Sequence, residues 1–178
     1  MAKRFKFITA VLTVLFPILL FCYIAFETRL LLTLAITSGT FAYHFIMRLI
    51  VGLIIDKIFH NNISYDKKWF KEHRFEKKLY SVLKVKKWKE HIPTYQPETF
   101  SADKGLSFIA KATCQAELVH EIIVALSFMP VLLTIFFGDF WVFFLTSFFS
   151  ALFDMIFVIV QRFNRPRLIK IIEKRLKK

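Results

Sequence analysis

Four long apolar runs order the chain, at about residues 7–26, 30–58, 114–137 and 140–160. Each has at least the roughly twenty residues that a helix needs to cross a bilayer. The pattern predicts an all-α membrane protein. It would have four transmembrane helices, a cytoplasmic interfacial amphipathic helix and a short C-terminal helix, in a single membrane domain over residues 1–178. Pro17 is expected to kink the first span. That run is long for a signal peptide and no small-residue cleavage site follows it, so it reads as a retained helix. Glu27, Thr28 and Arg29 make one short external turn, and Gly138 with Asp139 makes the other. Pro166 is expected to end the fourth span, leaving the basic tail, residues 161–178, to turn along the interface.

Between the second and third spans lies a polar segment, residues 61–113, dense in Lys up to about residue 89. Within it Phe75, Leu79, Val82 and Leu83 fall at helical spacing, and Trp69, Tyr80 and Trp88 are aromatics of the kind that seek a membrane interface. Pro93 and Pro97 break the chain, and Ser101 can cap the helix that follows. On that helix Leu106, Ile109, Ala110, Thr113, Glu117, His120, Glu121 and Val124 share one stripe, which reads as inward-facing. Ionisable groups on an inward stripe at the membrane boundary mark a candidate functional site, or else a polar helix end held by its neighbours. In the second span His44 and Arg48 share a face. Arg48 lies roughly 15 Å from the cytoplasmic end at the usual rise per residue, near the bilayer centre. An unpaired charge is costly there, and Asp154 in the fourth span is the expected partner.

Composition sharpens the membrane reading. Of 178 residues, 56% are hydrophobic and 23 are Phe, too apolar for a soluble domain of this size. The net charge of +13 could point to nucleic acid, but the Lys and Arg residues gather at the ends of the apolar runs. That placement suits anionic lipid instead. The two short turns carry only Arg29, whereas the amino end, the central segment and the tail are basic. The positive-inside rule therefore puts both termini and the central segment in the cytoplasm. Cys22 and Cys114 suggest neither a disulfide framework nor a metal site.

Three motifs then occur in order: KKWKEHIP at 86–93, CQAELVH at 114–120 and VQRFNRPRL at 160–168. Together they resemble the glycosyl-diaponeurosporenoate acyltransferase family of small bacterial membrane proteins, over roughly the last two thirds of the chain. The resemblance implies a multi-pass protein of the bacterial cell membrane that moves a fatty acyl group from a thioester donor to a hydroxyl of a lipid or glycolipid. Such a transfer needs a base near the hydroxyl. His120 has the intrinsic pKa for it, and Glu117, one turn earlier, is placed to orient it. Cys114 is a less favoured covalent acyl carrier, with no second His near it in sequence to activate it. Gln161, Arg162 and Asn164 are candidate donors to the oxyanion, and Arg165, Arg167, Lys87 and Lys89, with Trp88 between them, suit coenzyme A phosphates or an acidic carrier protein. Arg48, Asp154 and Glu121 are further candidates. Acyl-CoA is expected as co-substrate with no bound cofactor, and membrane lipid and the acyl donor as partners. The alternative is a non-enzymatic small membrane protein that binds anionic lipid or a partner membrane protein.

Overall fold

The structure is a computed structural model that describes residues 2–92 and 97–177. Pro93 lies outside the described residues. The described chain is all-α. Helix α1 covers Ala2–Phe26, α2 Arg29–Phe59, α3 Arg74–Val82, α4 Val85–Trp88, α5 Leu106–Leu126, α6 Thr134–Phe137 and α7 Phe140–Leu176, with short 3-10 turns between some of them. Among the described residues four stretches are long and apolar enough to cross a membrane: Lys3–Phe26, Arg29–Phe59, Leu106–Phe137 and Phe140–Leu176. Hydroxyls inside them fold back on their own helix, as in Thr13 to Thr9 O at 2.7 Å and Thr40 to Ile36 O at 2.7 Å. This satisfies a polar group where no water is available.

The two expected turns are present. Glu27, Gly138 and Asp139 all have positive φ, and Arg29 pairs with Asp139 at 3.9 Å. The third span is not one continuous α-helix, because Pro130 interrupts it. Helix α5 stops at Leu126, a 3-10 turn covers Met129–Leu133, and α6 follows. Proline has no N–H for the carbonyl four residues back, here that of Leu126. The Tyr43 hydroxyl donates to that carbonyl instead, at 2.9 Å.

Three local expectations are corrected. The fourth span does not end at Pro166, and the tail is not a separate short helix, since α7 continues to Leu176. Side-chain anchors on both sides of the proline hold the helix together there: Arg162 and Arg165 before it, and Arg167 stacked back on Phe163, 4.2 Å from the ring centroid. The amphipathic segment is two helices, α3 and α4, with Lys84 between them in a left-handed conformation. Ser101 does not cap α5. Its hydroxyl is taken by Glu98 O and Asp103, and α5 starts after Gly105, whose φ of +81° suits glycine.

The chain forms two compact units. One comprises the residues up to Leu53 with Ile122–Asp154. Its core includes Ala35, Ile36, Ala42, Met47, Ile123, Phe143 and Ala151. Gly39 lets the Phe16 ring lie directly on α2, where a Cβ would stand 2.7 Å from a ring carbon. This unit also holds an apolar cavity of about 370 Å³, walled by Phe16, Ile36, Gly39, Pro130 and Phe143 among others. The second unit comprises Ile54–Glu121 and the chain from Met155 onward. Ile63, Phe70 and Cys114 form a buried cluster in it, with Phe59, Tyr65 and Leu118 packed against them.

Candidate functional site

Helix α5 is enclosed over more than one stripe. Ile109, Ala110, Ala112, Thr113, Cys114, Gln115 and Glu117 are all buried. Gln115 accepts from the Asn61 backbone at 2.6 Å and donates to Asp56 at 3.1 Å, so it pins the carboxyl end of α2. His60 and Asn61 both have positive φ there. Cys114 is fully buried in the apolar cluster, as a small packing residue.

Glu117 is the centre of the second unit. Its side chain is 0% exposed, and each carboxylate oxygen accepts from a different guanidinium of α7, Oε1 from Arg162 and Oε2 from Arg165. The oxygens expected to orient His120 are thus engaged by arginines. The spacing of α7 explains why two arginines converge here, because positions three apart lie on one helix face. Arg162 uses all five of its N–H groups: Nε and Nη2 on Glu76 Oε1 at 3.0 and 2.6 Å, Nη1 on Glu117 and Trp69 O, and Nη2 on Lys71 O. Arg165, 1% exposed, also donates to Thr113 Oγ1, Thr113 O and Phe70 O, each at 3.1 Å, and lies over the Phe70 ring at 5.0 Å. Glu76 completes the set, accepting from the Tyr80 hydroxyl at 2.7 Å. Two carboxylates and two guanidiniums balance, as buried charge requires.

Glu76 and Tyr80 belong to α3, outside the spans, and each titration is displaced. Burial acts to raise the Glu76 carboxyl, but the Arg162 and Tyr80 hydrogen bonds and the Arg162 charge outweigh it and hold the group below the usual carboxylate range. The Tyr80 phenol is raised by burial, and further by its bond to Glu76 and the charge there. Sequence reading placed Tyr80 at the membrane interface and overlooked Glu76. The available signal was a carboxylate one turn before a tyrosine in an otherwise Lys-rich segment.

His120 lies one turn beyond Glu117, half-buried, its ring stacked on Phe157 with centroids 4.6 Å apart and planes within 9°. Glu121 accepts from the Trp69 indole at 2.8 Å. Lys89 donates to Asn164 Oδ1 at 3.0 Å and sits over the Phe163 ring, so these two candidates do meet. Trp88 donates to Leu83 O in its own turn. Gln161 is half-buried. Lys87 and Arg167 share the wall of a cleft of about 490 Å³, whereas Arg165 is buried in the Glu117 network and does not face it. Neither this cleft nor the apolar cavity has His120 in its wall.

In the other unit Arg48 and Asp154 form the expected ion pair, and Arg48 also donates to Ser150 Oγ at 2.8 Å and to His44 O at 3.0 Å. Ser150 in turn lies 3.2 Å from Ser127 Oγ. His44 is fully buried beside them, with neither ring nitrogen bonded. Among the described residues no cluster of His, Cys, Asp or Glu could hold a metal.

No curated protein and no solved structure gives a significant match to the chain. A sequence model of the glycosyl-4,4'-diaponeurosporenoate acyltransferase family matches residues 66–174. That segment is more than half of the 178 residues. It contains His120, the four charged residues of the Glu117 network and the whole wall of the basic cleft. With four helices able to span a membrane, the chain belongs to the glycosyl-4,4'-diaponeurosporenoate acyltransferase family.

Proposed function

We propose that the protein moves a fatty acyl group from a thioester donor to a hydroxyl of a lipid or glycolipid at the cytoplasmic face of the membrane, with His120 as the general base. The observation that carries this reading is the position of His120. It stands half-buried, one turn beyond a fully buried ion network, inside the segment that matches an acyltransferase family. A base must be reachable by the acceptor yet held in place. Stacking on Phe157 restrains the ring, and the Glu117 clasp fixes α5 against Arg162 and Arg165 of α7, one turn away.

In the reaction the imidazole takes the proton of the acceptor hydroxyl. The oxygen attacks the thioester carbonyl, the carbon–sulfur bond breaks, and the departing thiolate receives the proton. The developing oxyanion needs a preorganised donor. Gln161 is one candidate, and the Asn164 amide N–H is the other, since Asn164 Oδ1 already accepts from Lys89. The cytoplasmic placement rests on the concentration of Lys and Arg in the central segment and tail, against Arg29 alone in the two short turns.

The test is an assay of the purified protein in detergent with long-chain acyl-CoA, or acyl carrier protein as donor, and a lipid extract. Mass spectrometry follows new esters. The expected result is an acylated lipid whose formation falls about a hundredfold or more in His120→Ala. Turnover within a factor of a few of the wild type in that variant would show that His120 is not the base. No ester with either donor would move the protein to the non-enzymatic reading.

A further inference from the structure

The cleft beside the Glu76 network has a charge composition that the ion pairs of the fold do not explain. Its wall is built by α3, by the turn at Lys84, by α4 and by α7 after Phe163. It carries Lys77, Lys84, Lys86, Lys87, Arg167 and Lys170 against one carboxylate, Glu72, which Lys77 already engages at 3.7 Å. Among the described residues, Lys84, Lys86, Lys87, Arg167 and Lys170 make no ion pair. These five cations share one concave wall of a cleft of about 490 Å³ and repel one another there. An anion seated in the cleft would relieve that repulsion.

The backbone points the same way. Lys84 has a φ of 51°, a left-handed conformation that glycine or asparagine usually fills. The strained turn is held by the Trp88 indole on Leu83 O, and it places Lys84 and then Lys86 and Lys87 along the cleft. Strain kept at a ligand clamp is a recurrent use of such positions. Arg167 lies over the Phe163 ring, 4.2 Å from its centroid, and that contact keeps its guanidinium beside the cleft.

We infer that this cleft binds a ligand bearing several phosphate groups. Several lysine ammonium groups and one guanidinium suit clustered phosphates better than a single carboxylate, because each cation can take its own oxygen. Resting on the acyl-transfer reading, the ligand is the coenzyme A end of the thioester donor. The same chemistry could instead take the phosphates of anionic lipids.

The experiment is calorimetric titration of the full chain in nanodiscs of net-neutral phosphatidylcholine. The probes are coenzyme A, its 3'-dephospho form and phosphate-free pantetheine. Coenzyme A is expected to bind, the dephospho form more weakly and pantetheine not at all, with affinity falling as salt is raised. Lys84→Gly removes a charge while supplying the residue the backbone prefers, so it should keep the melting temperature and weaken coenzyme A about fivefold. Arg167→Gln should weaken it by at least as much. Equal binding of coenzyme A and pantetheine, or unchanged affinity in Lys84→Gly, overturns the inference. A parallel arm uses phosphatidylglycerol nanodiscs and native mass spectrometry. Lipid retention lost in Lys84→Gly, with no coenzyme A binding, would overturn the donor and leave lipid phosphate as the ligand. Coenzyme A binding without ester formation would keep the cleft and count against acyl transfer from coenzyme A. Ester formation with an unchanged KM for acyl-CoA in Lys84→Gly would do the reverse.

Discussion

Glu117 holds a buried carboxylate between two guanidiniums, so its substitution should show what uncompensated charge costs. Glu117→Gln keeps the shape and removes the charge, leaving Arg165, 1% exposed, with no carboxylate of its own. A broken buried pair typically costs about 3–5 kcal/mol, so the variant should lose several degrees of melting temperature in detergent. Replacing Glu117 and Arg165 together by methionine should cost less than Glu117→Gln alone, since no buried charge is then stranded, and Arg162 keeps Glu76. A double variant less stable than Glu117→Gln would contradict this account. The two ion pairs were not equally legible in the sequence. A charge in mid-span must find a partner, and Asp154 was the one carboxylate in the last span, so its pairing with Arg48 could be read directly. Arg162 and Arg165 stand where any membrane helix ends in basic residues. That expectation concealed their link to Glu117, whose one-turn spacing pointed instead to His120.

Helix α3 presents three faces in three directions, and the division follows from a rotation of about 100° per residue. Glu76 and Tyr80 are buried on one face. Lys77 and Ser81 line the basic cleft on another. Phe75, Leu79 and Val82 stand exposed on the third, with Leu83 just beyond the helix, although they are among its most apolar side chains. An exposed apolar stripe on a nine-residue helix otherwise rich in charge belongs in the headgroup and acyl boundary of a bilayer. Spin labels on single cysteine variants check this. Labels at 75 and 82 should be relaxed by oxygen dissolved in the lipid, and labels at 77 and 81 by a water-soluble nickel chelate. Chelate access at 75 equal to that at 77 would remove α3 from the membrane. The apolar spacing was plain in the sequence. The buried face was not, because Glu76 and Tyr80 read as polar surface until Arg162, 86 residues later in the chain, is placed against them. Prolines were legible only in part. Pro130 lies in a 3-10 turn that interrupts the third span, while α7 continues through Pro166 between side-chain contacts that spacing alone does not reveal.

For the whole molecule, the four spans were readable because hydrocarbon obliges backbone groups to bond within their own segment, which leaves long apolar runs of helical length as the visible mark, even where Pro130 interrupts one of them. The packing of the central segment was less readable, because its apolar spacing shows the exposed face of α3 while its buried face is set by polar contacts to residues far along the chain. The same difference should govern how the protein responds to pH. The second unit is closed by Glu76 and Tyr80 of α3, which lie outside the spans. Glu76 has a folded-state pKa below its unfolded value, so its contribution is present above about pH 4, the ordinary glutamate value, and is lost as pH falls through the folded value. Tyr80 has a folded-state pKa above its unfolded value, so its contribution is intact up to about pH 10 and is lost as pH rises further. Stability in a neutral detergent should therefore be nearly flat across neutrality, with an acid limb and an alkaline limb. The limbs separate by substitution. Tyr80→Phe removes the phenol and should flatten the alkaline limb, and Glu76→Gln should flatten the acid limb while lowering stability at pH 7, where Arg162 loses a partner. Intrinsic tryptophan fluorescence melts across this range would follow both, since Trp69 lies in the same network through Arg162 and Glu121. Acid limbs that coincide in Glu76→Gln and the wild type would mean that other carboxylates set the acid response, and that the Glu76–Arg162 contact does not hold the second unit closed.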